Sequence, residues 1–241
     1  MLPESEFVPL QRDPLLPPRP CRVRWRRSPR ARRVSLRIDA IDGDVVLTLP
    51  PRASRKAGLD LLHAHAAWVL SRIEGLAPPR PFADRSRIPI GGIEHTIRHD
   101  PSRRGVAFLE GTELIVTGAA EFLPRRVARF LRDEALRRIQ AAALPHARAL
   151  GVQPRVIRLK DPRTRWGSCA PDRTVAFSWR LVLAPDWVLD YVVAHELAHL
   201  REMNHSDRFW ALCESRSPHR AAATAWLRQH GTTLLRIGEA P

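Results

Sequence analysis

The run His195-Glu196-Leu197-Ala198-His199 sets two imidazoles four residues apart with a carboxylate between them. On an α-helix this spacing puts His195 and His199 on one face, one turn apart, so both can reach a single cation. Glu196 then projects beside that cation, where it can hold a water molecule. A hydrolytic zinc ion needs three protein ligands and one position open to water. His205 is the leading candidate for the third ligand: the chain must leave the helix after His199 and turn back, and Asn204 is the residue of that stretch best suited to a left-handed backbone. Ser206 and Asp207 then fit the start of another helix. Glu202 and Glu214 are rival ligands, Glu202 being better placed to orient His199 than to bind the ion.

These side chains require a buried helix to carry them. Val188, Leu189, Tyr191, Val192 and Val193 make it apolar, and Ala184-Pro185-Asp186 opens it with proline at the first position and an acid in the first turn. Burying two histidines and a glutamate there is costly without a metal or a tight hydrogen-bond network. Upstream, residues 155–170 and 174–184 read as strands separated by a Pro171-Asp172 turn. In the first of them Arg165, Trp166, Gly167 and Ser168 are candidate substrate-binding residues: glycine admits a close backbone, and free strand amides can pair with an extended peptide. The competing reading packs Trp166 in the core and makes Cys169 a small buried filler. Arg165, Tyr191 and His219 are candidates for stabilising an oxyanion.

The rest of the chain reads as scaffold. Residues 1–21 hold six prolines within the first twenty positions and are expected to form a flexible leader. An N-terminal α+β module over 22–120 follows. In it Val34, Leu36 and Ile38, an Asp42-Gly43 turn, and Val45, Leu47 and Leu49 spell a β-hairpin. A helix is expected over 52–76, then a small antiparallel layer of short strands. The catalytic domain covers 121–241, beginning with an arginine-studded helix over 124–150 that Pro145 should end or kink, and closing with a helix over 219–230 stopped by Gly231. No internal repeat is evident.

At 241 residues, 44% apolar and 27% charged, the chain is long enough for a packed core and too ordinary in composition for disorder, collagen or coiled coil. Three scattered cysteines without a CxxC pair support neither a disulfide framework nor a cysteine zinc site. No apolar run is long enough to cross a bilayer and the N-terminus does not read as a secretory signal, so no membrane partner and a cytoplasmic location are expected. Only two of the 40 basic residues are lysines, and the net charge is +15. Nucleic acid is therefore an allowed partner, though a solvated arginine-rich surface explains the charge equally well.

His-Glu-x-x-His with a third histidine six residues later also matches the ligand spacing of metzincins. Those carry a glycine in the turn and a downstream methionine turn. Here Glu202 occupies the turn, and Met1 and Met203 are the only methionines, which argues against that group.

Four elements in order, RWGSC at 165–169, WRL-x-LAP at 179–185, VVAHELAHL at 192–200 and MNHSDRFW at 203–210, resemble the YgjP-like or WLM-type zinc metallopeptidases, relatives of the SprT-like proteases. The resemblance extends over about residues 22–235, with Ser178 departing from the asparagine often found before the WRL element. It implies Zn2+ held by His195, His199 and His205, Glu196 as the catalytic carboxylate, and a polypeptide substrate. The expected fold is α+β: an N-terminal hairpin-and-helix module followed by a zincin-like unit with a small sheet packed on the helix of the two histidines. The expected reaction is peptide-bond hydrolysis by a metal-activated water with Glu196 as general base. Two alternatives accompany it: a zinc-dependent nucleoside triphosphate pyrophosphatase, an activity proposed within the resembled family, and a nucleic-acid-associated protease of the SprT-like kind.

Overall fold

The computed structural model describes residues 2–238. The chain is α+β and divides into two compact units, Met1–Ala77 and Pro78–Pro241.

In the first unit, strands β1 (Ser5–Leu10), β2 (Arg19–Arg27), β3 (Ser35–Ile38) and β4 (Val45–Leu49) form one sheet in the order β1-β2-β4-β3. The expected hairpin is β3 and β4, paired antiparallel from Ser35 opposite Thr48 to Ile38 opposite Val45. The stretch expected to be a flexible leader instead supplies β1. Val8 and Leu10 alternate into the core, and Pro9 between them is tolerated because β1 is an edge strand. The helix expected over 52–76 is two helices, α1 (Arg55–Ala64) and α2 (Ala66–Glu74), which meet at the non-helical His65. Both lay apolar residues, among them Leu62, Val69 and Leu70, on Val23, Val45 and Leu47 of the sheet.

The second unit opens with β5 (Arg87–Ile90), β6 (Ile93–His99), β7 (Ala107–Glu110) and β8 (Glu113–Val116), in the order β5-β6-β8-β7. Its two hairpins are antiparallel, as expected, but they join through a parallel β6/β8 pairing, just as β2 and β4 join in the first sheet. The two halves of the chain thus share a four-strand connection pattern that alternating hydrophobicity cannot reveal, because period two is the same in either pairing. Ile88, Ile97 and Leu114 belong to the same core as the helices that follow. The boundary expected near residue 121 therefore does not coincide with the division at 77/78.

Helix α3 (Leu123–Leu150) buries Leu123, Val127, Leu131, Ala135, Ile139 and Ala143 at four-residue spacing. Pro145 does not end it. Pro145 and Ala141, whose carbonyl loses its helical donor, both face solvent, where water can replace the bond. Next come β9 (Val156–Lys160), β10 (Gly167–Cys169) and β11 (Thr174–Ser178), in the order β10-β11-β9. The Pro171-Asp172 turn closes β10 onto β11 as expected, whereas Trp179–Leu183 leaves the strand as a 3₁₀ turn. Helices α4 (Asp186–Ala198), α5 (Asp207–Arg216) and α6 (Arg220–Leu235) complete the unit. Helix α6 runs through Gly231, because that residue is a packing site and not a stop: a Cβ there would lie 2.9 Å from Cζ2 of Trp166. Among the described residues no helix is long and apolar enough to cross a membrane.

Candidate metal centre

Helix α4 is buried nearly all round, with Val188, Val193, Ala194, Leu197 and Ala198 inaccessible, so its last turn is held rigidly. His195 lies in that turn and His199 is its C-cap. The helix ends by tightening: the N–H groups of Arg201 and Glu202 both donate to the Ala198 carbonyl, each at 3.0 Å. The chain then reverses into α5, whose cap is the expected Ser206, with Oγ accepting the Phe209 N–H at 3.3 Å. The reversal does not use a left-handed Asn204; the only non-glycine residues with positive φ among those described are Arg85 and Arg173. The corner sets His205 facing the two helical histidines.

One nitrogen from each of His195, His199 and His205 lies within 4.8 Å of the other two. His205 Nε2 and His195 Nε2 are 3.3 Å apart, and His199 Nδ1 stands 3.1 Å from the Glu202 carbonyl oxygen, which leaves Nε2 for another partner. Glu202 does orient His199, but through its backbone and not its carboxylate. Glu214 is engaged by Arg220 at 2.9 Å and is not in the cluster. Aromatic rings wall the group: Phe209 stacks on His199 at 4.4 Å between centroids, and Trp210 stacks on His205 at 5.3 Å with the Arg220 guanidinium over its outer face.

Two other buried or half-buried histidines in this unit have ordinary acceptors. His99 reaches the Gly118 carbonyl at 2.6 Å and His146 reaches Asp190 at 2.7 Å. His195 is different. Its Nδ1 is buried without a hydrogen-bond partner, and its Nε2 meets only another imidazole. Two imidazole Nε2 atoms turned toward each other are the arrangement that a shared cation between them would satisfy. Burial, followed by the neighbouring His199 and His205, pushes the His195 pKa down to about 4, and burial also lowers that of His199 against the opposing Glu202 carbonyl. These imidazoles are therefore neutral near pH 7, the form in which a ring nitrogen offers a lone pair to a metal.

Glu196 is 7% exposed, and burial raises its carboxyl to about 7, with the positive charge of Arg165 opposing the rise. It lies against β10 at Gly167. A Cβ on Gly167 would stand 2.5 Å from both Cγ and Oε1 of Glu196. Gly167 thus admits the side chain of Glu196, a tighter requirement than the approach of a substrate expected from sequence. The histidines and Glu196 open onto a cleft of about 570 Å3 whose opposite wall is Arg165, Gly167, Ser168 and Cys169.

Of the four substrate-binding candidates, Arg165, Gly167 and Ser168 line this cleft, while Trp166 turns away to pack on Gly231 and the core. Among the oxyanion candidates, Tyr191 lies tilted against His195, 5.9 Å between centroids, with its hydroxyl bonded to Thr224, and His219 sits against Trp187, so only Arg165 reaches the cleft. Thr164 and Met203 also line it and were not anticipated. Neither carries a sequence signal, since each enters by a loop. Phe209 and Trp210 had one: they follow the Ser206 cap directly, so the first turn of α5 must face the corner that holds His205.

Three imidazoles on a helix corner, beside a buried carboxylate and open to a cleft, form a candidate metal centre. The family model YgjP-like, metallopeptidase domain matches residues 32–230, and the chain belongs to the YgjP-like family. Its function is accordingly of the metallopeptidase type, with a metal cofactor. No curated protein matches the sequence.

Proposed function

We propose that this protein is a zinc-dependent peptidase in which His195, His199 and His205 hold the ion and Glu196 is the general base. The observation that carries the reading is the convergence of three imidazole nitrogens within 4.8 Å, with His195 Nε2 meeting no partner but His205 Nε2. An all-imidazole donor set suits zinc, and the cleft leaves room for solvent and substrate. When bound, zinc supplies Lewis acidity that acidifies water and polarises a carbonyl.

The protein's own groups do the remainder. Glu196 has an affinity for protons matched to neutral pH, so it can take a proton from water and return it to the leaving amine. Gly167 gives it the space to stand there. Strand β10 is an edge of its sheet, so its free N–H and C=O groups can pair with an extended polypeptide and lay a peptide bond across the cleft. Arg165 is the cation available to a developing oxyanion. In this reading the second unit is zincin-like, with the β10-β11-β9 sheet alongside α4.

Metal analysis of the purified chain, followed by hydrolysis assays on an unstructured polypeptide and on nucleoside triphosphates, tests the proposal. The expected result is one zinc per chain and polypeptide cleavage that disappears in Glu196→Gln while zinc is retained. Glu196-dependent hydrolysis of triphosphates without polypeptide cleavage would overturn it.

A further inference from the structure

The cleft continues beyond Gly167 and Ser168. A second hollow, of about 250 Å3, shares Arg165, Gly167 and Ser168 with the histidine side and adds Lys160, Pro162 and Phe177. Register explains why these residues meet. Gly167 lies opposite Phe177 across β10/β11, and Lys160 lies beside Ser178 across β11/β9, so the hollow spans the sheet at the end nearest α4. Phe177 beneath it belongs to the hydrophobic core and is 1% exposed.

Its rim is cationic. Lys160 and Arg165 are both exposed, and no carboxylate among the described residues forms an ion pair with either. The nearest carboxylate in sequence, Asp161, is committed elsewhere: its Oδ1 accepts from Arg180 Nε at 2.9 Å, and Arg132 approaches its other oxygen at 3.9 Å. Some arginines of this unit are paired, as Arg98 is with Glu113 and Arg138 with Glu134. No acidic residue lines the hollow. Two cations over an apolar floor, continuous with the metal side, form a site for a side chain with an apolar stem and an anionic end.

We propose that the hollow is a specificity subsite that takes an acidic side chain, Asp or Glu, of the polypeptide substrate close to the scissile bond, with Lys160 and Arg165 as its clamp. The inference rests on the peptidase reading given above and names the substrate class for it. A basic residue in the same place would meet like charge and be rejected.

The experiment uses the full, zinc-loaded chain and a set of peptides acetylated and amidated at their ends, so that only side chains carry charge. Each position around the cleaved bond is varied through Glu, Gln and Lys, and cleavage is followed by mass spectrometry. At one position within two residues of the cut, Glu is expected to exceed Gln by about tenfold in kcat/KM, the factor that two part-exposed ion pairs together provide. Lys should be poorest there. Lys160→Glu, which lies outside the catalytic cleft, should abolish the preference for Glu over Gln and Lys, while Arg104→Glu, the same charge change outside the hollow, should leave the wild-type order in place. Equal cleavage of the Glu, Gln and Lys peptides at every position by the wild type, or a Glu preference that persists in Lys160→Glu, overturns the subsite and leaves the peptidase standing. Absence of Glu196-dependent cleavage for every peptide overturns both.

Discussion

Replacing Gly167 by alanine isolates the relation between β10 and the general base. Gly167 does not have the positive φ that restricts a site to glycine, so its own backbone tolerates a side chain. The obstacle is Glu196: the new Cβ would stand 2.5 Å from Cγ and Oε1 and 2.7 Å from Cδ, whereas carbon atoms in contact rest about 3.5–4.0 Å apart. About 1 Å must be found. The strand is pinned by its hairpin to β11, and Glu196 belongs to a helix buried on nearly every side, so the glutamate rotamer gives way. A misplacement of about 1 Å in a reacting group can cost about a hundredfold in rate, equivalent to about 2.7 kcal/mol of transition-state stabilisation. Overpacking costs about 1–3 kcal/mol of stability, offset by about 0.4–1 kcal/mol from the stiffer unfolded chain, so Tm should fall by roughly 2–8 °C.

The assay is steady-state peptide cleavage beside zinc stoichiometry, in wild type, Gly167→Ala, Glu196→Gln and the double variant. We expect kcat to drop about a hundredfold in Gly167→Ala with zinc undiminished, because the atoms nearest the new Cβ all belong to Glu196. In the Glu196→Gln background the added methyl should cause no further loss, since the two changes act on one group. Unchanged kcat, loss of zinc alongside activity, or multiplicative losses in the double variant would refute the reasoning.

His205→Ala should lower zinc occupancy after dialysis by at least tenfold, and the Tm rise that zinc gives the wild type should vanish with it. Tyr191→Phe should leave kcat within about threefold and cost about 1 kcal/mol of stability, because its hydroxyl serves Thr224 and not the reaction; calorimetry and kinetics separate the two. In metal-free protein, Glu196→Gln should be neutral below pH 4.5 and increasingly stabilising as pH rises toward 7. The folded-state pKa is raised to about 7, so ionising the buried carboxylate costs the wild type stability there, by up to about 3 kcal/mol; paired thermal melts across pH read the difference. Burial pushes the Cys213 thiol up to about 12, so it should stay unmodified by alkylating reagents at pH 8 until the chain unfolds, which peptide mapping would reveal.

The parts of this centre that were legible in the sequence are those set by short-range geometry. Two histidines at helical spacing, a serine that caps the next helix and a Pro-Asp turn each depend on a few adjacent residues, and each is found as expected. What was not legible depends on neighbours distant in the chain. Val8 and Leu10 give a strand its alternation, but six nearby prolines hide it, and only pairing with β2 shows that Pro9, the proline between them, lies in an edge strand. Pro145 reads as a break because the sequence does not say that the carbonyl it orphans faces water. Glu202 reads as an acid able to steer His199, yet the tightened helix end brings its carbonyl to the ring first. Gly167 and Gly231 make the same point within one strand and one helix: each is glycine because a side chain from another element, Glu196 or Trp166, occupies the volume where a Cβ would be. The two contacts lie on adjacent residues of one segment, since Trp166 locks the start of β10 onto α6 while Gly167 receives the base from α4. The position of the carboxylate relative to the histidines is therefore fixed from both sides, by the helix that carries it and by a strand anchored to a second helix. On this argument Gly231→Ala, remote from the metal, should impair catalysis through Trp166 while sparing zinc, and by less than Gly167→Ala does.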